Sequence, residues 1–120
     1  MAEPLRVWSY SRCSTCRKAL AWLEQQGIDV TVIDITETPP SRGLLAEAAS
    51  SLGSRAPLFN TSGLSYRALG SAVVKAMSDE EALNALAADG KLIKRPFLAL
   101  PDGQFLVGFK LDQWAQAFQS

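Results

Sequence analysis

Cys13 and Cys16 are the residues of this chain best suited to chemistry, and they are its only cysteines. They stand in Ser11-Arg12-Cys13-Ser14-Thr15-Cys16-Arg17-Lys18, between a strand-like run and a helix-like run. Three residues apart on a helix, the two thiols are near enough for a disulfide. From Pro4 to Leu23 the sequence carries Arg6, Arg12, Arg17 and Lys18 but no Asp or Glu, so a thiolate there faces cations and no anion. That lowers a thiol pKa. If a helix begins near Ser14, Cys13 is its N-cap and the unpaired amides of the first turn point towards its sulfur. Cys13 is then the expected nucleophile and Cys16, deeper in the helix, the resolving thiol. Two other readings stand beside this one. A structural zinc site usually wants four Cys or His ligands, whereas the chain has two Cys and no His, so no metal is expected. The pair could also be inert, buried as small hydrophobes.

The elements that must position these thiols follow from periodicity. Leu5 to Tyr10 reads as a strand, and Cys16, Ala19, Leu20 and Leu23 mark one face of a helix that Gly27 stops. Ile28, Val30, Val32 and Ile35 predict a second strand, laid parallel to the first by a right-handed crossover. After Pro39-Pro40, Ser41 can cap a helix through Leu44, Leu45, Ala48 and Leu52, ended by Gly53. Residues 54–76 are weakly periodic, with a turn at Asn60-Thr61-Ser62-Gly63 and helical fragments from Tyr66 to Met77. Ser78-Asp79-Glu80-Glu81 has capping-box spacing, and Asp89-Gly90 terminates the helix it starts. Phe97 to Leu100 and Gln104 to Val107 predict a hairpin around Pro101-Asp102-Gly103, and a last helix packs through Leu111, Trp114, Ala115 and Phe118. The order is β-α-β, helices, hairpin, helix. This is an α/β pattern that resembles the thioredoxin-like, glutaredoxin-like order: one mixed four-stranded sheet in a single domain over 1–120, with helices inserted over about 41–90.

In folds of that kind a cis-proline at the position of Pro96 lies beside the cysteine loop and offers backbone groups to a bound thiol or peptide. Arg95 would be carried to the mouth of the site, where its planar fork could hold an oxyanion; alternatively Lys91, Lys94 and Arg95 form a solvated cationic stretch. Asn60, Thr61 and Ser62 could donate to an anion or form a plain turn. The substrate-binding set expected around the thiols is Arg12, Ser14, Thr15, Arg17, Asn60 and Pro96, with Arg95 catalytic beside Cys13 and Cys16. Trp8, Trp22 and Trp114 read as core.

Composition narrows the class. Twelve basic and twelve acidic residues balance to zero formal charge, which gives no broad positive field for direct nucleic-acid binding. No run has the length of a membrane span and the N-terminus lacks a signal-like apolar stretch, so a cytoplasmic address is expected, where such a cysteine pair is redox-active more often than a staple.

Taken together, Ser-Arg-Cys-Ser-Thr-Cys-Arg-Lys-Ala, Pro-Pro-Ser-Arg, Leu-Phe-Asn-Thr-Ser-Gly-Leu-Ser-Tyr-Arg and Leu-Ile-Lys-Arg-Pro-Phe-Leu, in that order, resemble the ArsC/Spx family across almost the whole chain. The resemblance implies a thiol oxidoreductase linked to glutathione and to a glutaredoxin or thioredoxin system. No cofactor would be bound, and glutathione would be the co-substrate. Likeness to the arsenate reducers implies that Cys13 attacks an oxyanion held by Arg95. Those enzymes carry further arginines at positions matching Asn60 and Gly108 here, and each lost charge-assisted contact is worth roughly 1.5–3 kcal/mol. The alternative implied by the family is an Spx-type regulator that binds the α subunit of RNA polymerase and is switched by a Cys13–Cys16 disulfide. Such regulators generally continue past the last helix, whereas this sequence ends at Ser120, so regulation ranks second.

Overall fold

Val7 and Trp8 set the architecture, because neighbouring strand residues face opposite sides of a sheet and both of these are buried. The computed structural model describes residues 5–118; Met1–Pro4 and Gln119–Ser120 lie outside it. Strand β1 (Arg6–Ser9) is followed by helix α1 (Ser14–Gln25) and strand β2 (Thr31–Asp34). Helices α2 (Arg42–Leu52), α3 (Leu64–Leu69), α4 (Ser71–Ala76) and α5 (Asp79–Ala88) come next, then strands β3 (Phe97–Ala99) and β4 (Phe105–Val107) and helix α6 (Leu111–Phe118). The four strands form one mixed sheet in the order β2-β1-β3-β4. β1 pairs parallel with β2, Val7 opposite Val32, and antiparallel with β3, Val7 opposite Leu98. β3 pairs antiparallel with β4. This is the thioredoxin-like α/β arrangement that the element order implies.

Each face of the sheet carries its own core. Trp8, Phe97 and Ile35 pack with Leu45 of α2 and Leu83 and Leu86 of α5. On the other face Val7 and Leu98 meet Ala19 and Leu23 of α1 and Trp114 of α6.

Helix starts follow local side-chain chemistry. Ser41 Oγ accepts from the Leu44 amide at 3.1 Å, and Ser78 and Glu81 exchange both bonds of a capping box, at 3.1 and 3.0 Å.

Several boundaries differ from the sequence reading. β2 begins at Thr31 rather than Ile28, and it ends at Asp34, where Thr36 donates from its amide and its hydroxyl to Asp34 Oδ1, at 2.8 and 2.6 Å, and turns the chain. The Tyr66–Met77 fragments are two helices, parted at Gly70, whose φ is 88°. A short 3-10 turn over Ala56–Leu58 precedes them, steadied by Arg55, which donates to the Met77 carbonyl at 2.6 Å and pairs with Asp79 at 3.2 Å. Gly90 does more than end α5: a Cβ on it would run into the backbone carbonyl of Ile35, so the chain crosses there only without a side chain. Among the described residues no helix is long and apolar enough to cross a membrane.

Candidate functional site

Topology gathers four separate segments at one end of the sheet. β1 delivers the loop Tyr10–Cys13 to the start of α1. Because β3 runs antiparallel to β1 with Phe97 opposite Trp8, Pro96 and Arg95 fall next to the end of β1. Phe97 also pairs with Val107, so Gly108, Phe109 and Lys110 emerge there too. Finally, the Asn60 amide donates to Leu92 O at 2.9 Å and the Lys94 amide to Leu58 O at 2.7 Å, which ties residues 58–63 alongside 92–95.

At the centre, Cys13 is the N-cap of α1, with extended backbone, and its Sγ accepts from the Cys16 amide at 3.3 Å. Burial pushes the half-buried Cys13 thiol up, but opposing effects win. The Cys16 thiol and amide both donate to Cys13, and the Arg95 guanidinium adds a hydrogen bond and its charge, so the pKa falls below the ordinary 9.0. Cys16 goes the other way, pushed up to about 11. Burial is the main cause, reinforced by donation to Cys13 and by the charge a Cys13 thiolate carries; the Tyr10 backbone and the Ser9 side chain oppose it. Both cysteines are free thiols, Cys13 half-buried and Cys16 buried.

Arg95 is joined to Pro96 by a cis peptide bond. Its guanidinium carbon lies 5.0 Å from the Tyr10 ring centre, a cation–π contact. Its Nε and Nη1 are buried without a hydrogen-bond partner, two donors in need of an acceptor.

A cleft opens over Cys13, lined by Thr15, Asn60, Ser62, Gly63, Lys94, Arg95, Val107, Gly108, Phe109 and Lys110. Of the expected catalytic and substrate-binding residues it contains Cys13, Thr15, Asn60 and Arg95, and Ser62 and Lys94, also named from sequence, line it too. Asn60 Oδ1 accepts from Ser62 Oγ at 3.2 Å, holding the 60–63 turn at the rim. Cys16 lies beneath Cys13, buried in the first turn of α1. Arg12 and Ser14 are exposed and outside the cleft lining, and Arg17 donates to the Ser11 carbonyl at 2.7 Å. Pro96 is buried, and its carbonyl accepts from the Gly108 amide at 2.9 Å. The charge acting on Cys13 is that of Arg95, on the opposite wall, rather than of the cations flanking it in sequence.

Lys110 has no sequence signal beyond following a strand, whereas Lys94 and Phe109 fall in strings of the family resemblance without a site role attached to them. The pairing of β3 with β4 brings Phe109 and Lys110 to the cleft, and that of β1 with β3 brings Lys94. Among the described residues no group of three or more His, Cys, Asp or Glu could hold a metal ion. The arrangement can bind an anion or an electrophilic sulfur against Cys13, with Arg95 as donor and Cys16 in reserve.

Known proteins carry the same architecture. The model of the ArsC family matches residues 8–117. An uncharacterised protein, YusI, of Bacillus subtilis (strain 168) is 43% identical over 93% of this chain and 96% of its own length. An arsenate reductase of Rhizobium meliloti (strain 1021) is 37% identical over 81% of this chain and 69% of its own. The crystal structure of a possible arsenate reductase from Streptococcus mutans UA159 superposes with a TM-score of 0.87, at 39% identity, covering 98% of this chain and all of the other.

Proposed function

This chain belongs to the ArsC family, and from that premise we propose that it is a thiol oxidoreductase in which Cys13 is the nucleophile, Cys16 the resolving thiol and glutathione the co-substrate. One observation carries the reading: the Cys13 sulfur is held by the Cys16 amide at the start of α1 while Arg95, in the lining of the same cleft, adds a hydrogen bond and its charge to that sulfur. A nucleophile and an anion holder share one small space.

The chemistry balances on these residues. The Cys13 thiolate attacks one sulfur of a mixed disulfide; a new S–S bond forms to Cys13, the old one breaks, and the partner sulfur departs as a thiolate. Two of the causes that raise Cys16, its bond to Cys13 and the Cys13 charge, then vanish. Cys16 loses its proton more readily and attacks Cys13 Sγ from beneath, needing no path to solvent. The product is a Cys13–Cys16 disulfide and a second released thiol, and glutathione with a glutaredoxin or thioredoxin system returns both cysteines to the reduced state. With arsenate, Cys13 would attack the arsenic of the oxyanion that Arg95 holds, an S–As bond forming as one As–O bond breaks and its protonated oxygen leaves as water. Asn60 and Gly108 stand where the arsenate reducers carry further arginines, so arsenate would lose two planar forks as holders although Lys94 and Lys110 keep the cleft cationic.

The test is turnover of glutathione mixed disulfides and of arsenate in a glutaredoxin-coupled assay, with Cys13→Ser and Cys16→Ser beside the wild type. Turnover lost in Cys13→Ser, and a partner trapped on Cys13 in Cys16→Ser by mass spectrometry, are the expected results. No turnover of either substrate, with RNA polymerase α retained on the immobilised protein, overturns the reading in favour of a redox-switched regulator.

A further inference from the structure

The cleft over Cys13 is lined by three cations, Lys94, Arg95 and Lys110, and by no carboxylate. Arg95 is turned inward, against Tyr10 and the sulfur. The lysines are placed differently. Lys94 folds its stem across Gly108: a Cβ built on that glycine would sit 2.8 Å from Lys94 Cε, 3.8 Å from Cδ and 3.9 Å from Nζ. A side chain at 108 would therefore press on the end of the Lys94 stem, and φ of 71° at that position favours glycine independently. Lys94, Val107 and Lys110 also line a second depression, with Phe59, Thr61 and Gln113 on its far side. The two lysines thus stand on the ridge between the sulfur site and an adjoining hollow. Arg55 pairs with Asp79, and among the described residues no carboxylate stands within ion-pair distance of Lys94 or Lys110.

We propose that Lys94, admitted by Gly108, and Lys110 are specificity residues that select thiols and disulfides bearing a carboxylate beyond the reacting sulfur. The inference rests on the Cys13 reading above and adds a second anion station to it. Arg95 serves the reacting centre, and the lysines serve the acidic body of the substrate as it extends over the ridge. Exposed ammonium groups act here through steering and orientation, so their contribution falls with ionic strength.

Two disulfide reagents separate charge from chemistry. The reduced protein is mixed with 5,5′-dithiobis(2-nitrobenzoate), which carries two carboxylates, and with uncharged 4,4′-dithiodipyridine. In both cases the Cys13 thiolate forms a disulfide with one half of the reagent, the reagent's S–S bond breaks, and the other half is freed as a coloured thiolate or thione. The readout is the ratio of the anionic to the neutral rate constant. Lys94→Met and Lys110→Met are each expected to lower that ratio about three- to tenfold at low salt, and high salt to bring wild type and variants together. Lys75→Met on α4, outside this cleft, is expected to leave the ratio as it is. An unchanged ratio in both cleft variants, or an equal fall in Lys75→Met, overturns the proposal. A wild-type Cys13 no faster than a free thiol with the neutral reagent instead sinks the underlying reading, so the two failures are told apart.

Discussion

At Cys13, two bonds from one neighbour and a cation from another strand decide which form of a sulfur exists at neutral pH. Removing Arg95 tests that balance: Arg95→Met is expected to move the Cys13 pKa up, towards its ordinary 9.0, and to slow its alkylation at pH 7. The pH dependence of iodoacetamide labelling reads both. Cys16 gives a second prediction, on stability. Its folded pKa is raised from 9.0 to about 11, so the native state holds that proton more tightly than the unfolded chain. The resulting stability is present below pH 9 and is lost as pH climbs through 11, whereas Cys13, lowered in the fold, acts in the opposite sense. Denaturation curves across that range should fall more steeply for wild type than for Cys16→Ala. The thiol pair and its N-cap were legible in sequence because they depend on three-residue spacing and on a helix start. Of the cations expected around the thiols, Arg12 and Arg17 are neighbours in sequence, but Arg95 is the neighbour in space.

Among the elements, those with strong periodicity and a marked cap are where the sequence places them. Ser78→Ala should cost about 1 kcal/mol in chemical denaturation, since it removes the oxygen that accepts from the Glu81 amide and breaks the reciprocal box. Between residues 54 and 76 the pattern was faint for a physical reason: α3 contributes no buried residue and α4 only Val74, so neither helix needs an apolar stripe. What holds that region is Arg55 reaching to the carbonyls of Val74 and Met77, contacts across some twenty residues that no local pattern reveals. The same distance hid the role of Gly90. Its dipeptide with Asp89 reads as a helix stop, and the need for a bare Cα under the Ile35 carbonyl appears only when β2 is in place.

Over the whole molecule, strand order does the assembling. The sheet sequence β2-β1-β3-β4 puts the end of β1, the start of β3 and the end of β4 side by side, and the reactive cleft lies where they meet. Its far wall is anchored from the α6 side. The Trp114 indole N–H donates to the Gly108 carbonyl at 3.0 Å, and its ring meets Phe109 edge to face at 4.9 Å. Trp114→Phe should cost about 1–3 kcal/mol in a denaturation experiment, because a buried carbonyl loses its donor. The order of the elements was readable from the chain; the way three strand ends frame one opening needed the register. One further consequence belongs to the grip on the Cys13 sulfur. Whatever steadies negative charge on that atom also makes it a good leaving group, so a molecule attached there is easily displaced by the next incoming thiol. On the function proposed above, Cys13 is thereby suited to passing a sulfur-bound cargo onward rather than to storing it.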